Sequence, residues 1–340
     1  MTRKNDTMIP DLYADPFGER SPTMIRKHLQ LLGGRFQFES NSGQLLRLVD
    51  SAYTGLPRHR LSTAIPRLRV RLLLSSHKQP RPRGRLQPPP LDMFSGAGFL
   101  GGATDSSNFV VLSPREQAAL VAVSPQMLKF PYHTRYELIE FAVFTLAARS
   151  QGLASLHAAC VGRDGRGILL MGPSGSGKST VTLHCLLQGF DFLSEDSVFV
   201  KPDTMLATGV ANFLHVRSDS LRWLERSRDA AAIRKSPVIR RRSGVEKFEV
   251  DLRRGSYRLA PSPLKIAAVV FLSPQSAGGR RLLKSLSKSS LLEKLAAAQG
   301  YAANQPEWNV FSNRVSKLHA YELRRGDHPL EAVETLRALL

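Results

Sequence analysis

Gly172-Pro173-Ser174-Gly175-Ser176-Gly177-Lys178-Ser179-Thr180 is the stretch on which the reading of this chain turns. It satisfies GxxxxGK[ST], the pattern of a phosphate-binding loop. Each letter has a physical reason. Glycines let the loop curl until successive backbone N–H groups point inward at phosphate oxygens. The helix expected after the loop adds the positive end of its dipole at the same place. Lys178 supplies a point charge for the β- and γ-phosphates, and the Ser179 hydroxyl is a candidate magnesium ligand. A glycine-rich turn can carry these letters by accident, so the flanks matter. The apolar run Gly167–Met171 reads as a short strand, and Ser179–Gln188 reads as an amphipathic helix, which is the context the mechanism needs.

Working outward, the next strand, within GFDFLSED, ends in the acidic pair Glu195 and Asp196. One helix and one strand return the chain to the same end of a sheet, so these carboxylates are expected to face the phosphates. Carboxylates there suit two tasks, holding magnesium through oxygen and accepting the proton of an attacking hydroxyl. The competing reading of such a pair is a solvated turn at a strand end.

Strands continue to interleave with helices on both sides. Tyr136–Gln151 has apolar residues at helical spacing, and Phe109–Leu112, Phe190–Leu193, Val198–Val200 and Leu264–Leu272 read as strands. Further on, Leu283–Ala298 is read as helix, Arg314–Leu323 as strand and Leu330–Leu340 as a final helix. Ser113-Pro114-Arg115-Glu116 reads as a helix start. The alternation predicts an α/β domain over 109–340. Residues 1–108 form a basic, less regular N-terminal region. Within it Pro66–Leu72 alternates as a half-exposed strand, and a Pro/Gly-rich linker covers 79–102, where Ser95–Gly98 and Gly101-Gly102 read as plain loop.

The chain has 340 residues, of which 42% are hydrophobic, so it can bury a core. No apolar run reaches the roughly 18–20 residues that span a bilayer, and the first twenty residues have no apolar stretch of a secretory signal. Cys160 and Cys185 fit neither a disulfide framework nor a metal spacing, so they read as buried apolar residues in a reducing cytoplasm. The net charge is +20. No acid occurs between Ser51 and Leu91, and a second basic cluster spans Arg222 to Arg242, ending in Arg240-Arg241-Arg242. Neither cluster carries a zinc-finger, helix-turn-helix or RNP-type signature, so both read as solvated basic surface with affinity for polyanions; a nucleic acid is not required.

The stretch LHAACVGRDGRGILLMGPSGSGKSTVTLHCLLQGFDFLSEDSVFV (Leu156–Val200) resembles the kinase core of bacterial HPr kinase/phosphorylase and its HPr-kinase-related relatives. In that pattern a histidine opens a strand–turn–strand lead-in, followed by the P-loop, its helix and an acid–acid strand end. The resemblance implies a P-loop kinase with a phosphoenolpyruvate-carboxykinase-like fold, ATP and magnesium as cofactors, and phosphoryl transfer to a hydroxyl, typically serine, of a protein or peptide. It also implies assembly into a homo-oligomer. Matched position by position, it makes His157 the active-site histidine, Lys178 the phosphate ligand, Ser179 and Asp196 the metal ligands, and Glu195 the base. Arg217 matches an arginine of a later strand. Glu195 stands where the family has Asp, and the family's longer C-terminal signature is not evident here. Outside this pattern His157 would read as a packing residue, Lys247 as an exposed lysine, and Trp223 and Trp308 as anchors.

Three other readings stay open. A small-metabolite kinase also has an acid after the P-loop helix, but its P-loop lies near the chain start. A transport or mechanical ATPase needs an apolar strand ending in Asp-Glu, and AAVVFLSP carries no acid. A nucleotide-dependent scaffold would use the basic N-terminal half to hold a polyanion.

Overall fold

The computed structural model describes residues 23–75, 87–224, 227–279 and 281–340. The expectations for residues 1–22 and for the linker before Gln87, with Lys78, Arg81, Arg83 and Arg85, lie outside the described residues. Among the described residues the chain is mixed α/β with three sheets. Among these residues no helix is long and apolar enough to cross a membrane.

The first sheet is built from β1 (Ile25–Leu31), β2 (Gly34–Ser40), β3 (Arg67–Leu74), β4 (Asp92–Gly96), β5 (Phe99–Asp105), β6 (Asn108–Ser113) and β7 (Ala118–Val123), in the order β1-β2-β3-β7-β6-β5-β4. In β3 the period of two holds: Leu68, Val70 and Leu72 are buried and Arg67, Arg69 and Arg71 are exposed. Those apolar side chains pack with the helices Gly43–Tyr53 and Glu140–Gln151 into one core. The N-terminal region is thus a regular sheet, and that sheet runs across the boundary expected at 108/109 to end at Val123. Sequence reasoning placed a loop over Ser95–Gly102, whereas β4 and β5 form a hairpin there. Ala97 (φ 48) and Gly98 (φ 81) make its two-residue turn, and positive φ at both turn positions matches the twist of paired strands. Ser113–Glu116 likewise starts no helix. The Ser113 hydroxyl accepts from the Glu116 N–H at 3.3 Å, capping a tight turn into β7.

The second sheet holds the phosphate loop. Its path is β11 (Asp191–Ser194), β9 (Ala159–Arg163), β10 (Arg166–Met171), β17 (Leu264–Ser276), β13 (Leu206–Gly209), β12 (Val198–Lys201) and β8 (Ala154–Leu156). β19 (His319–Arg325) pairs with β17, and β18 (Leu283–Ser285) pairs with β19. β10, β17 and β19 run parallel, and β17 is apolar from Ile266 to Leu272 because both its faces are covered. β9 is antiparallel to both β10 and β11. β10 and β11 therefore point the same way, and their C-terminal ends share one end of the sheet.

Two boundaries differ from the sequence reading. The helix expected over Leu283–Ala298 begins only at Lys288, because the Ser287 hydroxyl caps it by accepting from the Ser290 N–H at 3.2 Å; Leu283–Ser285 pairs as a strand instead. The strand expected over Arg314–Leu323 begins at His319, since Trp308–Val315 is a helix that buries Phe311 and Val315 one turn apart. A third, small sheet, β14 (Phe213–Val216), β16 (Glu246–Asp251) and β15 (Val238–Arg240), stands beside the loop.

Candidate phosphate site

β10 ends at Met171 and the helix Lys178–Leu187 begins directly after the loop, so Gly172–Gly177 turns the chain from strand to helix. Two glycines are structurally required. Gly172 has φ 147, and a Cβ there would lie 2.7 Å from the Ser176 hydroxyl and 3.0 Å from the Leu272 carbonyl. Gly177, at the helix N-cap, has φ 97. The Lys178 ammonium folds back over the loop and donates to the carbonyl of Gly172 and, at 3.4 Å, to that of Pro173. Burial lowers its pKa and the nearby carboxylates of Asp196 and Glu195 raise it, with burial ahead.

The acidic pair emerges from β11 at the same sheet end, and its two members have different surroundings. Glu195 is 3% exposed. One of its oxygens accepts from the Ser179 hydroxyl, and the other accepts from the His215 N–H at 2.8 Å. Asp196 faces the cavity, where the Arg241 guanidinium donates to it at 2.6 Å. Burial opposes the charge of Asp196, but Arg241 outweighs burial and holds the carboxyl down at about 2. His157, exposed on the turn between β8 and β9, lies 3.2 Å through Nδ1 from the Asp196 carbonyl. Its backbone is clasped by Gln299, which accepts from the His157 N–H at 2.7 Å and donates to the His157 carbonyl at 3.0 Å.

The small sheet supplies a buried relay behind Glu195. His215 on β14 and Glu249 on β16 are cross-strand partners, with Nε2 3.3 Å from the carboxylate. Arg135, at the N-terminal side of the helix before the second sheet, closes the line by pairing with Glu249. Arg135, Glu249, His215, Glu195 and Ser179 thus form one chain of hydrogen bonds reaching from beneath the first sheet to the loop.

These groups surround a cavity of about 270 Å³ lined by Lys178, Ser179, Thr180, Asp196, Arg241 and Lys247, with Pro173, Ser174, Gly175 and Gly177 as its wall. Burial and then the Arg241 charge lower the Lys247 pKa. The cavity concentrates cations in a partly desolvated pocket, which suits a polyphosphate. Of the residues singled out in the sequence, Lys178, Ser179, Thr180, Asp196, His157 and Arg217 meet here. Ser176, whose hydroxyl is buried beside Gly172, belongs instead to the wall of a second cavity on the loop's other flank, which shares Gly175, Gly177, Thr180, Asp219 and Ser220 with the first and is also lined by Trp223 and His328, whose rings are 5.3 Å apart. Trp223 therefore stands at the site. Sequence reasoning missed Arg241, His215 and Glu249, and Lys247, read there as an exposed lysine, is half-buried in the cavity wall. Arg241 lay hidden inside a run that reads as solvated surface, although Arg240 alone of the three points freely to solvent, Arg242 pairs with Glu137, and Arg241 turns in to Asp196.

Glu195, Asp196 and His215 each offer an atom within 4.8 Å of one another, and the Ser179 hydroxyl joins Glu195. Hard oxygens from a hydroxyl and two carboxylates fit magnesium.

No protein-family model matches the chain, and no curated protein matches it. Among solved structures, that of the Hpr(Ser) kinase/phosphatase from Coxiella burnetii is similar over 54% of this chain and 88% of that chain, with 12% sequence identity and a TM-score of 0.27. A likeness that low establishes neither a shared fold nor a shared function.

Proposed function

We propose that this chain is an ATP- and magnesium-dependent kinase that transfers the γ-phosphate to a hydroxyl, in our reading a serine, of a protein or peptide. One observation carries the reading: the loop lysine, the loop serine with its carboxylate, and the Asp196–Arg241 pair converge on a single cationic cavity. We assign the nucleoside to the Trp223–His328 side, because that cavity flanks the loop from Gly175 to Thr180 and does not reach Asp196. The triphosphate then runs along the loop with its γ end towards Asp196.

Magnesium, when bound, neutralises charge on the phosphate oxygens, and Ser179 and Glu195 would hold it. That assignment exchanges the two carboxylate roles expected from the sequence. Glu195 already accepts from Ser179, which lines the cavity, whereas Asp196 itself opens into the cavity. Asp196 then accepts the acceptor's hydroxyl proton as that oxygen bonds to the γ-phosphorus. The bond from the γ-phosphorus to the bridging oxygen breaks, and the nucleoside diphosphate leaves. Arg241 and Lys178 stabilise the charge on the transferred group. His157, beside Asp196, orients the acceptor.

The test tracks phosphate from [γ-32P]ATP into peptide and, separately, into water. Lys178→Ala should lose transfer and most of its affinity for a fluorescent ATP analogue, while Asp196→Asn should keep that affinity and lose transfer by about two to four orders of magnitude. Full transfer in either variant overturns the reading. Hydrolysis that no hydroxyl acceptor can redirect would favour an ATPase instead.

A further inference from the structure

A third cavity, of about 480 Å³, opens on the far side of His157 and Asp196, which line both it and the phosphate cavity. Its accessible walls are largely apolar. Phe141 and Phe144 come from the helix Glu140–Gln151, Phe199 from β12 stands edge-on to Phe144 at 5.3 Å, and Leu91 and Met93 close it from the start of β4. The last wall depends on a glycine: a Cβ at Gly102 would lie 2.5 Å from Leu91 and 3.0 Å from the Met93 sulfur. The three acids in the lining, Glu137, Glu140 and Asp196, already face the arginines Arg242, Arg135 and Arg241, so the cavity asks for no cation.

In-line transfer needs the acceptor and the leaving diphosphate on opposite sides of the γ-phosphorus. With the nucleoside on the Trp223 side, the acceptor enters from this third cavity. Its rim distinguishes a peptide from a metabolite. β4 is the last strand of the first sheet, and among the described residues nothing pairs with its outer edge. An edge of that kind, with no strand partner among the described residues, offers N–H and C=O groups to an added strand. The same strand exposes Met93 at 60% and Phe94 at 47%, and Tyr301 stands 59% exposed on the opposite rim.

We propose that the acceptor is an extended peptide segment that adds to the outer edge of β4. It sets a large apolar side chain among Phe141, Phe144 and Phe199, and so carries a neighbouring serine or threonine hydroxyl to Asp196. The proposal rests on the kinase reading, and it goes further in naming what is phosphorylated and how it is selected.

The experiment presents the full chain with [γ-32P]ATP and magnesium to a peptide library of fixed serine and randomised flanks, competed with free serine and glycerol. An aromatic or large aliphatic residue within two positions of the serine should be selected at least about fivefold over aspartate or lysine. In Ala298→Trp and Thr145→Phe, which fill the cavity from two different helices, KM for the selected peptide should rise about tenfold or more. A fluorescent ATP analogue reports in parallel that each variant retains its fold and its phosphate site. Transfer without apolar selection, unchanged KM in whichever variant keeps nucleotide affinity, or free serine or glycerol preferred over every peptide overturns the proposal. Nucleotide bound and hydrolysed with no peptide labelled also overturns it, and leaves the nucleotide site standing. Failure to bind nucleotide at all instead removes the kinase reading beneath it.

Discussion

His215 lies between two carboxylates with its side chain 8% exposed. Burial opposes its charge, but the hydrogen bonds it makes to Glu195 and Glu249 outweigh burial and raise its pKa to about 8. A folded-state value above the usual 6.5 means that the folded protein holds this proton more tightly than the unfolded chain does. The stabilisation, about 2 kcal/mol, is complete below pH 6.5 and lost as pH rises through 8. Urea unfolding at a series of pH values should show wild type losing that amount more than His215→Asn between pH 6.5 and 9. Parallel curves for the two proteins would mean that His215 is neutral in its pocket. No sequence pattern announces this residue. Lys178, Ser179, Glu195 and Asp196 are legible because a fixed spacing along one loop, helix and strand delivers them. His215 and Glu249 meet by cross-strand register between β14 and β16, which are separated by a long excursion, and Arg241 comes from the short turn between β15 and β16; neither register between distant strands nor a turn's exit direction leaves a local spacing to read.

At the scale of elements, the loop stores backbone strain that only glycine tolerates. Gly172→Ala would meet both an unfavourable φ and the Leu272 carbonyl at 3.0 Å, a backbone group that cannot swing aside. Gly189, with φ 80, has nothing within 4 Å of an added Cβ. Gly172→Ala should therefore cost about 1–3 kcal/mol in chemical unfolding and weaken binding of the ATP analogue, while Gly189→Ala should cost about 1 kcal/mol and leave affinity alone. Equal affinities in the two variants would show that the loop reshapes freely. Elements are readable where one periodicity runs unbroken, as in β3 and in the apolar centre of β17. They are misread where a cap or a turn decides the outcome. Ser287 starts a helix that the apolar pattern alone would have begun earlier, and Ala97-Gly98 folds a glycine-rich stretch into a hairpin.

Across the whole molecule, the first sheet is fastened to the second half rather than tethered beside it. The His59 ring bonds the Thr208 hydroxyl at 2.8 Å and the Ala260 carbonyl at 3.0 Å, and the Asn212 amide donates to the Ala52 carbonyl at 2.9 Å. Arg135 makes the connection that reaches the site. It sits in the six-residue π-helical stretch Thr134–Ile139, 6% exposed, with Glu249 on one side and Glu140 at 3.5 Å on the other. Burial raises the Glu140 carboxyl to about 7 even though Arg135 pulls it down. Arg135→Met keeps the apolar stem but strands Glu249 without its cation, so unfolding should lose about 3–5 kcal/mol. Glu249 would then lean on His215 alone, and the hold of His215 on Glu195 should loosen in turn. Magnesium-dependent affinity for the ATP analogue is therefore expected to fall more than affinity measured with EDTA present. Arg135→Met combined with Glu249→Gln removes the stranded charge, and it should recover part of the stability without restoring the metal dependence. If Arg135→Met lowers stability but leaves the difference between magnesium and EDTA untouched, the relay ends at His215 and the first sheet has no say in the phosphate site.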